Sequence, residues 1–407
     1  MPRSIPTQWR FRSRLRRSAW GWRGTKPAID AIDEALSEII AVNRHDPVLA
    51  AEGAIIFLEK ISPAVRGVDS SSGALGGATY SAIHVLVPII AAAPVSEPVR
   101  AKWLNRLFEA IQEDDPPYIE SLGDFWGELC VTPMLASWWA DELIPGVRNA
   151  IDSRKPRVFT FFSGAGICYA ALFKAGRHDE LLTLLASEST QIWPYLIWGG
   201  RVHAARGEVD HAIAYMKDHG GINTPVGALA SFAEGVLLQA GRRAEAYAHH
   251  AIDANQGNSR LSTYRNIAKK YPDVQPDRIL ADLMASTPGD EGKWFATAKT
   301  LKRLDLAMEL AWRSPCDPKT LVRAARDHLR SHPAFATESA LAALHWMSRG
   351  HGYELTALDV RDAYRYAQEA AQLIGQSERV QIRMTSIFAG QDPTGRWMRQ
   401  ALGFIDS

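Results

Sequence analysis

The sequence predicts an all-α protein built as a right-handed solenoid of antiparallel helix pairs. Three observations lead to this prediction: a helical phrase that recurs, a glycine inside each copy at steps of 31 and 34 residues, and an Ala-rich composition with few alternating β-branched runs. A helical repeat of this period is typical of solenoid proteins. The copies and their glycines are 168–186 with Gly176, 197–216 with Gly207, and 232–252 with Gly241.

Each copy follows the same physical scheme. The first helix carries Ala, Leu and aromatic residues, and glycine ends it because the left-handed backbone at a helix C-terminus strains any residue with a Cβ. A short polar stretch turns the chain, and acidic residues open the second helix, where the helix dipole favours a carboxylate. A fourth copy is predicted at 294–312, with Lys302 in the glycine position, 61 residues after Gly241.

Over about 168–312 this pattern resembles the tetratricopeptide class of helical repeats, in a loose Gly-x-x-x-(Glu)-Ala form. The early Trp and the late Pro of the full signature are not kept, and the 31-residue step departs from the class. The resemblance implies an α-solenoid with a concave surface that binds peptides or other proteins. It transfers no individual ligand-binding residue to this chain. A generic all-α bundle of similar helical hairpins is the alternative.

The chain divides by composition into four segments. The Ser/Gly-rich stretch 66–79 is predicted to be a loop within the second segment, whose helix pairs resemble those of HEAT repeats. The segments are a basic and disordered tail at 1–26, helix pairs at 27–154, tetratricopeptide-like repeats at 155–312 and a helical region at 313–407.

The rest of the composition narrows the class of protein. Three cysteines, Cys130, Cys168 and Cys316, are too far apart in sequence for a metal motif or a disulfide framework, which favours a cytoplasmic protein with inert thiols. The longest apolar run, 82–95, is too short for a membrane span and predicts a buried helix that bends or ends near Pro88. We expect no catalytic residue, no cofactor and no metal ligand.

Charge is unevenly distributed along the chain. The first 29 residues carry eight basic side chains and no acidic one, so they contribute +8 to a formal net charge of +1, and the remainder carries −7. Arginine interleaved with aromatic residues suits nucleic acid, an anionic membrane surface or an organellar transit segment. A disordered tail, an overcalled start codon and a segment docked on the acidic body are the alternatives. The candidate contacts are Arg10, Arg12, Arg14, Arg16, Arg17, Trp20 and Trp22.

Two charged helix faces are further candidates. Glu120, Asp124 and Glu128 recur every four residues, so on an α-helix they form an acidic stripe that could serve acid–base or metal chemistry, or simply be solvated. A basic face predicted on a later helix could bind an acidic peptide or a phosphate. Its residues are Lys319, Arg323, Arg326 and Arg330.

These observations leave three functional hypotheses. The first is a non-enzymatic helical-repeat scaffold that binds a protein or peptide partner, supported by the repeat, the lack of catalytic motifs and thirteen tryptophans. The second is a nucleic-acid-associated or regulatory protein that acts through residues 1–26. The third is a helical enzyme that uses the acidic stripe, which would need a pocket joining those carboxylates to a histidine or a metal.

Overall fold

A computed structural model of the chain describes residues 9–153, 162–188, 192–220, 224–390 and 393–404. Within these residues every regular element is helical, so the all-α prediction is confirmed. The chain forms two compact units, Met1–Leu229 and Ala230–Ser407. The division between them falls inside the segment 155–312, which composition alone treats as one block.

The first unit combines long helices near its N-terminus with short helical hairpins nearer its end. A 3-10 helix at Glu120–Phe125 separates α5 from α6. The helices are α1 (Phe11–Arg14), α2 (Thr25–Asn43), α3 (Pro47–Val65), α4 (Ala74–Ala92), α5 (Glu97–Gln112), α6 (Trp126–Cys130), α7 (Pro133–Asp152), α8 (Ala165–Lys174), α9 (His178–Ala186), α10 (Trp193–Ala205) and α11 (Val209–Asp218).

The second unit contains most of α12 and all the helices that follow. Its 3-10 helix, Glu291–Trp294, directly precedes α16. The helices are α12 (Ala228–Gln239), α13 (Arg243–Ala254), α14 (Arg260–Lys270), α15 (Pro276–Ala285), α16 (Phe295–Thr300), α17 (Leu304–Arg313), α18 (Pro318–His328), α19 (Pro333–Ser348), α20 (Ala357–Leu373), α21 (Ser377–Phe388) and α22 (Pro393–Ala401).

The glycines of the repeat end their helices as predicted. At Gly176 the backbone has φ +73°, its N–H donates to the carbonyl of Phe173, and the next N–H, of Arg177, donates to the carbonyl of Leu172. This pair of hydrogen bonds is the Schellman motif. Lys302 adopts the same left-handed turn with φ +60°, as its place in the fourth copy predicts. The motif recurs at Gly207, Gly241, Gly350, Gly375 and Gly403.

Each unit has its own apolar core, and its helices pack mainly against helices close to them in the chain. In the first unit α3 lies among α2, α4 and α5, with Phe57 and Leu58 fully buried. In the second unit α19 packs against α17, α18, α20, α21 and α22. Packing between near neighbours in sequence is the arrangement expected of stacked helix pairs.

From Trp9 onward the arginine-rich segment packs against the first unit, in contrast to the disordered tail that composition predicts for 1–26; residues 1–8 lie outside the described part. Three apolar side chains spaced along it, Trp9, Phe11 and Leu15, are buried in the core of the first unit. The backbone N–H groups of Arg10 and Phe11 both donate to the Glu38 carboxylate, at 3.0 and 3.2 Å. The segment therefore docks on α2 and α3.

One local prediction in the first unit is wrong. The Ser/Gly stretch is a loop only as far as Gly73, and Gly76 and Gly77 lie inside α4. Pro88 lies within that helix, which ends four residues later at Ala92. Among the described helices, α4 is the one that is long and apolar enough to cross a membrane. Nearly half of it is buried in the protein, and a core helix passes the same test of length and composition.

Candidate functional site

Side chains from several elements of the first unit meet in one place, which we call the Arg201 cluster. The ring centroids of Tyr80 and His84 on α4 lie 4.5 Å apart, and His84 lies 4.9 Å from Phe125 of the 3-10 helix. Asp124 lies close to Gly166 of α8. The Oδ1 of Asp124 is 3.7 Å from the position that a Cβ added to Gly166 would occupy. The cluster consists of Tyr80, His84, Asp124, Phe125, Glu128, Trp198 and Arg201.

Arg201 on α10 is the central cation of the cluster. Its Cζ lies 4.4 Å from the ring centroid of Trp198, so the guanidinium stacks on the indole. The side chain is half-buried, and burial lowers its pKa against the opposing influence of Asp124, Glu128 and Tyr80. Among the described residues it makes neither a hydrogen bond nor an ion pair within 4.0 Å. A half-buried guanidinium with its donors unused favours an acceptor from outside the chain.

Asp124 is the acidic counterpart in the cluster. Burial raises the pKa of its carboxyl group to about 6, an effect that Arg201 opposes and Glu120 reinforces. In the described part of the chain no group donates a hydrogen bond to this carboxylate. The indole N–H of Trp198 is also buried without an acceptor. The cluster thus holds a cation, an anion and a donor that are not satisfied by one another, which is the state expected of a polar binding surface.

The acidic stripe is not the regular feature that its spacing predicts. Glu120 and Asp124 lie in the 3-10 helix, while Glu128 lies in α6, so no single α-helix carries all three. The sequence period missed this because a 3-10 helix has three residues per turn and is seldom distinguishable by composition. Of the three, Asp124 is half-buried and the two glutamates are exposed. Although the Glu120 side chain reaches solvent, partial desolvation of its carboxyl group raises its pKa, and Asp114 adds to the effect.

The predicted basic face is largely engaged with its own surroundings. Lys319 donates to the backbone carbonyl of Glu354 at 2.8 Å, and Arg326 pairs with Asp327 at 2.9 Å. Arg323 lies 4.0 Å from Asp317 and donates to the backbone of Lys319. Arg330 follows the end of α18 at His328, so it does not extend the helical face. Lys319 is half-buried and the three arginines are exposed, and the use of this face to bind a partner stays a prediction.

The N-terminal candidates separate into docked and exposed residues. Arg14 pairs with Glu34 of α2, and Arg10 is anchored through its backbone. Trp20 is half-buried, whereas Trp22 is 68% exposed. Besides that of Arg10, whose backbone alone is anchored, the arginine side chains that remain exposed with no ion pair to a described residue are Arg12, Arg16 and Arg17.

The cysteines fit the expectation of inert thiols. Cys130, Cys168 and Cys316 are all buried and free. Burial raises the pKa of each thiol to about 12, so the nucleophilic thiolate is scarce at neutral pH.

Sequence reasoning missed both Arg201 and a cluster of histidines. His203 at the end of α10 and His211 on α11 lie on either side of Glu208, whose Oε2 is 2.7 Å from Nδ1 of His203. Their spacing of five and three residues matches no common ligand motif. Aligning the repeat copies on their glycines would have exposed the histidine cluster, because its residues break the pattern. Arg201 carries no comparable signal, because the charged and aromatic groups around it come largely from α4, the 3-10 helix and α6.

No protein-family model matches this chain, and comparison with curated proteins and with solved structures likewise gives no match. A functional assignment must therefore be drawn from the chemistry of the chain itself.

Proposed function

We propose that this protein is a non-enzymatic helical-repeat scaffold, of the tetratricopeptide or HEAT kind, that binds a protein or peptide partner through the Arg201 cluster. The recurring Schellman turns and the packing between near neighbours support the solenoid arrangement. The observation that carries the binding proposal is the half-buried Arg201 guanidinium, which stacks on Trp198 with its donors unused by described residues.

The chemistry of the cluster restricts the partner. Arg201 can donate two parallel hydrogen bonds to a carboxylate, or single ones to main-chain carbonyls. Asp124 and Glu128 lie close enough to Arg201 to influence its pKa, so the cluster as a whole is not cationic. The partner segment should therefore present two kinds of group side by side. A carbonyl or carboxylate would accept hydrogen bonds from Arg201, and a basic side chain or an N–H would donate to the carboxylates of the cluster. The aromatic side chains of Tyr80 and His84 add the apolar contact that interface hot spots require.

The proposal is tested by affinity capture with matched variants. Wild-type protein, Arg201→Ala and Arg148→Ala are used as baits in nuclease-treated lysate, and captured proteins are quantified. Arg148 is a suitable control because it is an exposed arginine of the same unit, 62% accessible and 3.7 Å from Glu180. We expect a stoichiometric partner that Arg148→Ala keeps and Arg201→Ala loses. Equal capture by all three baits would contradict the proposal.

A second candidate function is association with nucleic acid or regulation through the N-terminal segment. It is favoured by the exposed side chains Arg12, Arg16 and Arg17 beside the exposed indole of Trp22. Replacing the three arginines with alanine should leave the docking residues Trp9 and Phe11 in place. If this candidate is correct, the triple variant loses salt-sensitive binding to a single-stranded oligonucleotide that the wild type retains.

A further inference from the structure

We propose that His203, Glu208 and His211 form a binding site for a divalent transition metal such as Zn²⁺. The three residues lie within one helical hairpin of the first unit: His203 on α10, Glu208 in the turn and His211 on α11. Two imidazoles and one carboxylate are a ligand set that zinc enzymes and non-haem iron sites use, with coordination positions left for water or a ligand. This site is separate from the proposed partner-binding function.

The spacing of the ligand atoms suits such an ion. Oε2 of Glu208 lies 2.7 Å from Nδ1 of His203 and 3.5 Å from Nδ1 of His211. One ligand atom from each residue can be chosen so that all three lie within 4.8 Å of one another. Bonds of about 2.1 Å in a tetrahedron place ligand atoms about 3.4 Å apart, so only a small movement is needed. The Glu208 and His211 side chains are 43% and 62% exposed, which leaves them free to adjust.

Comparison of the repeat copies shows that all three positions are exceptional. Four residues before the turn, His203 replaces an apolar residue: Leu172, Leu237 or Ala298 in the other copies. Directly after the turn, Glu208 replaces an arginine in every other copy: Arg177, Arg242 or Arg303.

His211 completes the departure from the pattern. The corresponding residues are Glu180, Glu245 and Leu306, and the two glutamates pair with the arginines that follow their own turns. In the other copies the turn therefore forms without a histidine, and in two of them an arginine–glutamate pair stabilises it. All three positions differ from the other copies, and each holds a side chain that can ligate a metal. This coincidence indicates a bound metal ion rather than a requirement of helix packing.

The surroundings of the site tolerate a cation. Arg206, which lies close enough to Glu208 to act on it electrostatically, is paired with Asp179 at 2.6 Å, which offsets its charge. Metal bound here would join α10 to α11 across their turn. Because it would bind the folded hairpin only, it should stabilise the protein.

The test uses the full chain, stripped with a chelator and titrated with Zn²⁺ by calorimetry and with Co²⁺ by visible absorption. We expect one equivalent to bind, a cobalt spectrum typical of low coordination number, and a rise in Tm that a chelator reverses. His211→Ala and Glu208→Gln should each weaken Zn²⁺ binding by at least roughly tenfold. Removing a residue that only hydrogen-bonds to a metal ligand commonly costs that much, and these two residues are proposed to bind the metal directly.

His249→Ala is the matched control, because His249 is an exposed helical histidine outside the cluster, on α13. It should bind Zn²⁺ as the wild type does. His211 is itself exposed, so its replacement should preserve the fold, which circular dichroism verifies. Absence of binding by the wild type overturns the proposal. So does binding that His211→Ala and Glu208→Gln retain, because the ion would then lie elsewhere.

Discussion

The indole of Trp9 packs directly on the backbone of Gly53, in the middle of α3. A Cβ placed on Gly53 would overlap three atoms of the six-membered ring, Cζ2, Cε2 and Cη2. Trp9 is only 4% exposed, and its ring centroid lies 5.4 Å from that of Phe11 with the two rings tilted by 36°. The arginine-rich segment is therefore attached to the body through a contact that only glycine permits.

Gly53→Ala should release this segment. The added methyl group excludes the indole, so we expect a loss of about 1–3 kcal/mol in the free energy of unfolding and faster amide hydrogen exchange in residues 9–24. Gly77→Ala is the matched control, since Gly77 also lies within a helix but no atom stands within 4 Å of its added Cβ. That control should be neutral or stabilising. Unchanged exchange in Gly53→Ala would mean that the contact does not hold the segment.

Lys302→Gly should stabilise the second unit. A lysine at φ +60° is strained by its Cβ, and glycine removes that strain, so the net gain should be about 1 kcal/mol. Gly241→Ala, in the equivalent turn of an earlier copy, should cost a similar amount, because its φ is +74° and nothing else obstructs the methyl group. Urea unfolding of the two variants measures both effects. Changes of the same sign would contradict the shared turn geometry.

Glu234 is a fully buried carboxylate in the second unit, and we expect its removal to be costly. It accepts hydrogen bonds from Tyr271 and Asn255, each at 2.7 Å, and pairs with Lys270. Glu234→Ala leaves these partners unsatisfied and should cost about 3–5 kcal/mol. Glu245→Ala, which breaks a half-exposed pair with Arg242, should cost less than about 1 kcal/mol in the same urea experiment. Similar losses of unfolding free energy in the two variants would contradict a special contribution of the buried Glu234 network to stability.

Asp124 should make stability depend on pH. Its pKa is about 6 in the folded protein against an ordinary value of 3.8, so folding disfavours the ionised form. The free-energy cost of ionising Asp124 in the folded protein is absent below pH 3.8, the ordinary pKa of the group. It grows as the pH rises from 3.8 to about 6, and above about pH 6 it is fully present. Asp124→Asn should therefore be more stable than wild type at neutral pH by about 1–2 kcal/mol, after solvent screening is allowed for. Urea midpoints near pH 7.5 and pH 5 measure the difference, which should fall by about half. A difference independent of pH would contradict the assignment.

Sequence periodicity predicted the features that depend on local physics. The Gly176 type of turn, and its replacement by Lys302, follow from backbone strain, which each residue carries with it. The docking of Trp9 was not predictable in the same way, because it depends on a glycine 44 residues later in the chain. The many arginines of this segment led to a prediction of disorder from composition. Its structure depends instead on three buried apolar side chains, Trp9, Phe11 and Leu15.

The candidate site was only partly accessible from sequence. The spacing of Asp124 and Glu128 drew attention to the right stretch, although a 3-10 helix replaces the expected regular face. Arg201 gave no signal, because its significance arises from Trp198 beneath it and from carboxylates on two other elements. Long-range placement of this kind is set by tertiary packing, which a local pattern does not contain.

Peptide display tests whether the Arg201 cluster binds a peptide segment. A random library is selected on the immobilised wild-type chain, and enriched peptides are measured by calorimetry against wild type, Arg201→Ala and Arg323→Ala. We expect peptides whose affinity falls at least roughly tenfold in Arg201→Ala, because an arginine contact at the centre of an interface is lost, and is unchanged in Arg323→Ala. Enriched peptides that bind wild type and Arg201→Ala equally well would contradict it.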